Sequence, residues 1–321
     1  MKPKLGLCGI TYMGLWYDGP ALGIKELIAK AKYFCFTGVE LDGKAPQALP
    51  YLLKERDRKE IVEFAANQGV DLVCIGGYND FSSPVIEHRD ANIQMVIEQI
   101  RLCRDLGIPI LRIYTAWQGS SRLNGRGTYE VARSGYGRAF PQIPEMDRWQ
   151  YCLECFRIVA PIAESEGVIL ALQNHPPIVR NHMDCLAMAD EVNSPNFSLS
   201  FDISGERAWQ DTEWVLAAAH RLRDRWVRAA VGGDFTRNQD RTVSLIPLGR
   251  TTSPKEGVFS WNYDAWVQGM KEVDYRGYIL YEACTPTYLP NGNLVPIKVI
   301  DTRVDMAGDF LRQLVDKYFG D

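Results

Sequence analysis

Apolar residues in this chain fall into short runs that end in polar or turn-forming residues. Each run is followed by a stretch whose apolar positions recur every three or four residues. The first pattern predicts strands buried on both faces, and the second predicts amphipathic helices. Strands are expected near Leu5–Ile10, Gly38–Leu41, Asp71–Ile75, Ile108–Ile113, Val168–Gln173, Phe197–Asp202, Trp226–Val231 and Tyr278–Glu282. Helices are expected over stretches such as Gly23–Phe34, Lys59–Gln68, Val85–Leu106, Asp147–Ser165, Thr212–Arg221, Tyr263–Val273 and Thr302–Tyr318. Eight alternations with no linker or low-complexity break predict a single-domain α/β protein, a (β/α)8 TIM barrel spanning residues 1–321. An open doubly wound sheet would need a glycine-rich phosphate turn after its first strand, and Gly9-Ile-Thr-Tyr-Met-Gly14 does not supply one.

Barrel enzymes carry their chemistry at the carboxyl ends of the strands, so the residues ending each run are the candidates. Val168-Ile-Leu-Ala-Leu-Gln-Asn-His-Pro176 is the most informative stretch, because Gln173 and His175 alternate onto one side of a strand that ends abruptly in polar groups. The second strand carries Glu40 and Asp42 on one face, and the third runs into Tyr78-Asn-Asp-Phe81. The fourth offers Arg112, Tyr114 and then Trp117. Asp202, Arg228 and Glu282 come from the sixth, seventh and eighth, and the first leads to Trp16 and Tyr17. Carboxylates and amides of this density hydrogen-bond hydroxyls, and aromatic rings cover the apolar faces of a sugar. Trp16, Tyr17, Tyr114 and Trp117 therefore suit either a sugar platform or packing beneath a lid. Arg112 and Arg228 suit either pairing inside the barrel or substrate binding. Glu40 is expected to contact ligand, since an unpaired charge in that buried slot is costly. His182 follows Pro176-Pro-Ile-Val-Arg-Asn181 and is a candidate for the rim, whereas His88 and His220 lie in helical contexts. Three connections, Gly119–Glu145, Gly232–Gly257 and Thr285–Asn293, are long for barrel turns and read as lids or binding loops on the active face.

Composition narrows the partners. With 46% hydrophobic and 24% charged residues the chain can build a large core, and its net charge of −4 offers no basic field for nucleic acid. No run approaches the roughly 18 apolar residues of a membrane span. Met1-Lys-Pro-Lys leads straight into the first strand and is too short for a signal-peptide core. The eight cysteines are scattered, and the one CxxC, Cys152 and Cys155, has no second pair to complete a zinc site. Buried free thiols in a reducing cytoplasm are the plain expectation.

Leu172-Gln-Asn-His-Pro-Pro177, Leu5-Gly-Leu-Cys-Gly-Ile-Thr-Tyr12 and Tyr281-Glu-Ala-Cys284 resemble the sugar phosphate isomerase/epimerase superfamily, the xylose isomerase-like barrels. They look like a subgroup with Gln in the first metal slot, which itself resembles the C-glycoside deglycosylating members. The resemblance implies one divalent metal held by Glu, Asp, His and Glu on the last four strands. Here Gln173 replaces the first carboxylate, and Arg228-Ala-Ala-Val-Gly-Gly-Asp234 puts Ala230 or Val231 where the histidine belongs. The implied ligands are Asp202, Glu282 and Gln173, a set suited to Mg²⁺ or Mn²⁺. The competing arrangement is a metal-free pocket in which Arg228 neutralises the carboxylates. The resemblance also implies a homo-oligomer, or a hetero-oligomer with a small β-rich subunit.

Isomerisation, epimerisation and elimination on keto sugars share the removal of a proton beside a carbonyl, which needs a base and a positive group on the developing enolate. His175 is the leading base and otherwise hydrogen-bonds a loop. Glu282 or Glu40 is the base if no metal binds. A small-molecule sugar or glycoside is the expected ligand, and phosphorylated sugars are disfavoured by the lack of a glycine-rich phosphate cradle. The alternative is a non-catalytic sugar-binding barrel or a supporting subunit.

Overall fold

A computed structural model of the chain describes residues 2–123, 126–133, 140–247, 260–283 and 286–320. Eight parallel strands close into a barrel: β1 (Lys4–Cys8), β2 (Gly38–Asp42), β3 (Asp71–Gly76), β4 (Ile110–Ile113), β5 (Ile169–Gln173), β6 (Phe197–Asp202), β7 (Trp226–Val231) and β8 (Tyr278–Tyr281). Neighbours in sequence are neighbours in the barrel, and the ring closes where Lys4 to Leu7 pair with Tyr278 to Tyr281. The major helices are α1 (Ile24–Tyr33), α2 (Glu55–Gln68), α3 (Ile86–Leu106), α4 (Glu145–Ser165), α5 (His182–Val192), α6 (Thr212–Leu222), α7 (Tyr263–Glu272) and α8 (Ile297–Phe319). This is the expected (β/α)8 barrel, in one domain.

Helix starts differ from the periodicity reading for a physical reason. Glu55 and Asp57 open α2, and Glu145 and Asp147 open α4. Such acidic first turns complement the helix dipole but carry few apolar residues, so an apolar pattern begins late. Helix α5 is missing from the expectation altogether. Its Asn181 N-cap accepts from the Met183 and Asp184 amides, and His182, Cys185, Met188, Ala189 and Val192 form its buried stripe. A polar His182 at the head of that stripe hid the pattern. Gly69 and Gly107, both at positive φ, end α2 and α3 in the left-handed conformation that glycine adopts without strain.

The barrel interior is layered. Toward its lower end Val73, Cys74, Ile110 and Ala171 form an apolar cluster. Above it the axis turns polar, with Glu40, Arg112, Arg228, Ser200 and Gln173 all buried. Among the described residues three two-stranded antiparallel sheets lie outside the barrel, one of them joining Asn79–Asp80 to Ala116–Trp117. The hairpin Ser121–Leu123 with Arg126–Thr128 follows β4, and Phe235–Arg237 pairs with Val243–Leu245 after β7. The first hairpin crosses toward β1. A Cβ on Gly127 would lie 2.6 Å from the Met13 carbonyl and 2.8 Å from Leu15, so the two loops are in close contact. Gly119, at φ +64, likewise lies against the Tyr78 ring. The later part of the long connection after β7, residues 248–259, and residues 284–285 after β8 lie outside the described residues. Among the described residues no helix is long and apolar enough to cross a membrane.

Candidate active site

Strands β2, β4 and β7 send long charged side chains inward at the same height, and these must pair because they are buried. Arg112 donates to Glu40 Oε1 at 2.7 Å and to Gln173 Oε1 at 2.7 Å, and also to the Tyr114 hydroxyl. Arg228 donates through Nε to Glu40 Oε2 at 2.7 Å, through Nη1 to Ser200 Oγ at 3.1 Å, and through Nη2 to Cys8 Sγ and Glu282 Oε2, each at 3.4 Å. Glu282 Oε2 also lies 3.7 Å from Arg112 Nη1. Two guanidinium groups thus face two carboxylates, and this buried group is balanced in charge. Burial pushes the Glu40 carboxyl up, but Arg112 and Arg228 outweigh it and hold the group below the usual carboxylate range.

This placement departs from the expectation that Glu40 is a catalytic base or touches ligand. Both its oxygens are taken, and its side chain is 2% exposed. Arg228, expected at the substrate, is wholly buried with all three of its guanidinium nitrogens engaged. It is a counter-ion because its strand position lies below the rim. Arg112 is buried in the same way, but it reaches the rim through Tyr114.

The rim above is aromatic. Tyr78 and Tyr114 stack with centroids 5.7 Å apart, Tyr114 meets His175 edge-on at 5.3 Å, and Trp117 lies over His175 at 4.7 Å. Tyr129 from the hairpin region continues the chain, 5.3 Å from Trp117 and 5.5 Å from Trp16. Trp16 is buried beneath that contact. Its placement is the packing alternative rather than an open sugar platform, whereas Trp117 lines a cavity. That cavity, of about 730 Å³, borders His175, Trp117, Pro176, Ile143, Ile178 and Arg148, and none of the charged axial residues lines it.

His175 sits at the junction. Its Nδ1 lies 2.7 Å from the Pro176 carbonyl, an acceptor only, so Nδ1 carries the hydrogen and Nε2 keeps its lone pair. Burial lowers its pKa below the ordinary imidazole value, with the Pro176 hydrogen bond opposing and Arg112 assisting. Glu282 also acts on it, and Glu282 and Arg228 act on Asp202. His175 and Asp202 therefore both feel the charge of Glu282, while Gln173 is tied to the same group through Arg112. Asp202 Oδ1 accepts from the Ser204 amide at 3.0 Å and hydroxyl at 2.8 Å, and burial raises its pKa.

His182 lies elsewhere. As the first residue of α5 it is fully buried behind β6. It donates from Nδ1 to Glu206 Oε2 at 2.9 Å and accepts at Nε2 from Arg221 at 3.2 Å. The rim role expected for it is corrected by that helix, which turns the ring away from the mouth.

Sequence reasoning passed over Cys8, Ser200 and Lys44, and it placed Asp42 on the same face as Glu40 without giving it a role. Burial pushes the Asp42 carboxyl up to about 7, its Oδ2 accepts from Tyr78 at 3.1 Å, and its buried Oδ1 has no partner. The Lys44 ammonium lies 5.7 Å from the Tyr78 ring centroid, and burial lowers its pKa. A readable signal existed for Ser200: in Phe197-Ser-Leu-Ser-Phe-Asp202 every second residue is polar, an inward polar face.

Two of the oxygens expected to bind a metal, Gln173 Oε1 and Asp202 Oδ1, are engaged otherwise. Gln173 Oε1 accepts from Arg112, and Asp202 accepts from Ser204. Among the described residues, three potential ligands that do face one another are Cys8, Glu40 and Glu282, their ligand atoms all within 4.8 Å. Arg228 already touches all three. A divalent ion does not fit that donor set with the guanidinium in place.

Compared with known proteins, the sequence model of the family described as xylose isomerase-like TIM barrel matches residues 28–300. No curated protein matches the chain by sequence. Among solved structures, an L-ribulose 3-epimerase is 14% identical with a TM-score of 0.68, covering 99% of this chain and 96% of its own. A D-psicose 3-epimerase from Clostridium cellulolyticum H10, with D-tagatose, is 15% identical with a TM-score of 0.63 over 99% and 95% of the two chains. A 3-keto-D-glucoside 4-epimerase from E. coli is 16% identical with a TM-score of 0.64 over 98% of this chain and 99% of its own. At such identities the likeness shows the fold alone.

Proposed function

The chain belongs to the xylose isomerase-like TIM barrel family, and from that premise we propose that it is an enzyme that removes a proton from the carbon beside the carbonyl of a sugar or keto sugar. One observation carries this reading. At the carboxyl rim a neutral imidazole with a free Nε2 lone pair adjoins a phenol whose oxygen is already hydrogen-bonded by a buried guanidinium. The base is His175. It takes the α-proton on Nε2 while the C–H electron pair moves into the carbonyl, which becomes an enolate oxygen. Tyr114 accepts from Arg112, so its own hydrogen remains to donate to that oxygen, and burial raises its pKa well above the ordinary phenol range. Return of a proton to the other face gives the epimer. Transfer between the two carbons of the enediol gives the isomer.

The charge balance of the axial group bears on the substrate. Glu40 and Glu282 offset Arg112 and Arg228, which leaves no net cation there for a phosphate or carboxylate. A neutral sugar fits this best. A second reading draws on the cavity of about 730 Å³ beside His175. A glycoside oxidised at C3 would place its aglycone there. Loss of the C2 proton to His175 then expels the C1 substituent, which leaves with the bonding pair, takes up a proton, and leaves a C1–C2 double bond conjugated to the ketone.

Incubation of the protein in D₂O with free ketoses and with 3-keto glycosides tests both. Deuterium entering an unchanged skeleton supports epimerisation or isomerisation, and aglycone release supports elimination. An absence of exchange and of release across both panels contradicts the proposal and favours a non-catalytic sugar-binding barrel.

A further inference from the structure

The family fold and the ion-sized cluster of Cys8, Glu40 and Glu282 raise the question of what cation belongs on the axis. In this chain the cluster is filled from within. The Arg228 guanidinium is anchored from four sides, by Glu40, Ser200, Cys8 and Glu282. It enters from β7, the strand whose Ala230 and Val231 offer no ligand atom. A planar cation with fixed donor directions, always charged, satisfies carboxylates as an ion would, yet cannot accept a substrate oxygen as a ligand. Arg112 repeats the arrangement on the other Glu40 oxygen. The amide oxygen of Gln173 suits a neutral partner less than a guanidinium donor, and it is Arg112 that holds it.

We propose that Arg228 stands in place of a resident divalent metal, closing the Cys8–Glu40–Glu282 cluster to ions and serving as a positioning residue that fixes Glu40 and Glu282. The corollary, which rests on the proposed function, is that proton abstraction in this chain proceeds without added metal. Removing the guanidinium leaves three ligands facing one another and converts the cluster into a metal site.

The test is Mn²⁺ titration of the chelator-treated full chain, followed by loss of the free-ion EPR signal, with no sugar present. Its outcome is therefore independent of whether the sugar chemistry is right. The wild-type protein is expected to leave the signal of roughly equimolar Mn²⁺ at 100 µM essentially unchanged. Arg228→Ala is expected to bind at least tenfold more tightly than wild type, a gain of about 1.4 kcal/mol or more, and to lose that gain when Glu282→Gln is added. Arg228→Met, which keeps more of the side-chain volume, replaces the alanine variant if circular dichroism shows the latter unfolded. Stoichiometric, micromolar Mn²⁺ binding by the wild type overturns the proposal, whatever the variants do. A folded Arg228 variant with no gain in Mn²⁺ affinity also overturns it, because the guanidinium would then not be what closes the cluster. If the wild type stays blind to Mn²⁺ yet turns over no sugar, the sugar reading fails and the assignment of Arg228 stands.

Discussion

The molecule holds two buried ionic networks built from similar residues, and they serve opposite ends. One lies on the barrel axis, where Glu40, Arg112, Arg228 and Glu282 pair across strands. The other lies behind β6, where Glu206 accepts from the His182 amide at 2.7 Å, from His182 Nδ1 at 2.9 Å, from Trp214 at 2.9 Å and from Asn174 at 3.2 Å. The second network is closed. Arg221 occupies the remaining nitrogen of His182, and both His182 and Glu206 side chains are 0% exposed. The axial network continues upward into two groups at the rim, the Tyr114 hydroxyl, whose oxygen accepts from Arg112, and the His175 ring, whose Nε2 keeps its lone pair. Burial and charge alone do not mark a functional site. Unspent hydrogen-bonding capacity that faces an opening does.

Variants that remove one member of either network break the comparison at its strongest point, because both should lose stability alike. Glu40→Ala leaves two buried guanidinium groups short of a partner, and Glu206→Ala leaves four donors unsatisfied. Each should cost about 3–5 kcal/mol in urea unfolding. A loss below ~1 kcal/mol for either would contradict the account of that network. The networks should separate on the milder exchanges. His175→Asn should lower kcat/KM by roughly 10²–10⁴ while changing stability by ~0.5 kcal/mol or less. His182→Asn should do the reverse, costing about 1–3 kcal/mol through the lost imidazole bonds to Glu206 and Arg221 while leaving kcat of the folded protein near wild type. Tyr114→Phe, which removes only the enolate donor, should reduce kcat about 10²-fold.

The pH dependence sharpens the same contrast at smaller amplitude. The neutral form of His175 is the base, and burial depresses its pKa below 6.5. The acid limb of kcat/KM should therefore fall below the ordinary imidazole range, and a limb above it would contradict the assignment. Asp42 titrates the other way. Its folded pKa of about 7 lies above the ordinary 3.8, so its contribution to stability is complete below the unfolded value and is lost as pH rises through 7. Urea midpoints measured from pH 5 to pH 8 should fall less in Asp42→Asn than in wild type, by on the order of 1 kcal/mol.

Much of this architecture is legible in the chain. Phe197–Asp202 and Trp226–Val231 form strands with the bounds that the apolar runs predict, and the rim positions of His175 and Asp202 follow from where those runs stop. What pattern could not show is pairing across the axis. Glu40 and Arg228 are 188 residues apart in sequence, and nothing local says that they meet. For the same reason Glu40 reads as a ligand contact, and Arg228 stays open between pairing and substrate binding, when they are each other's partners. His182 misled because a histidine beyond a strand end looks like a rim residue until Asn181 is recognised as the cap that starts a helix.

The most direct measurement follows solvent deuterium into a turned-over ketose or 3-keto glycoside by NMR, with wild type, His175→Asn and Glu206→Gln compared side by side under conditions where all three are folded. The account predicts exchange at the carbon beside the carbonyl in wild type and in Glu206→Gln, and a loss of about 100-fold or more in His175→Asn. Exchange at the wild-type rate without His175, or none in any of the three proteins, would contradict it.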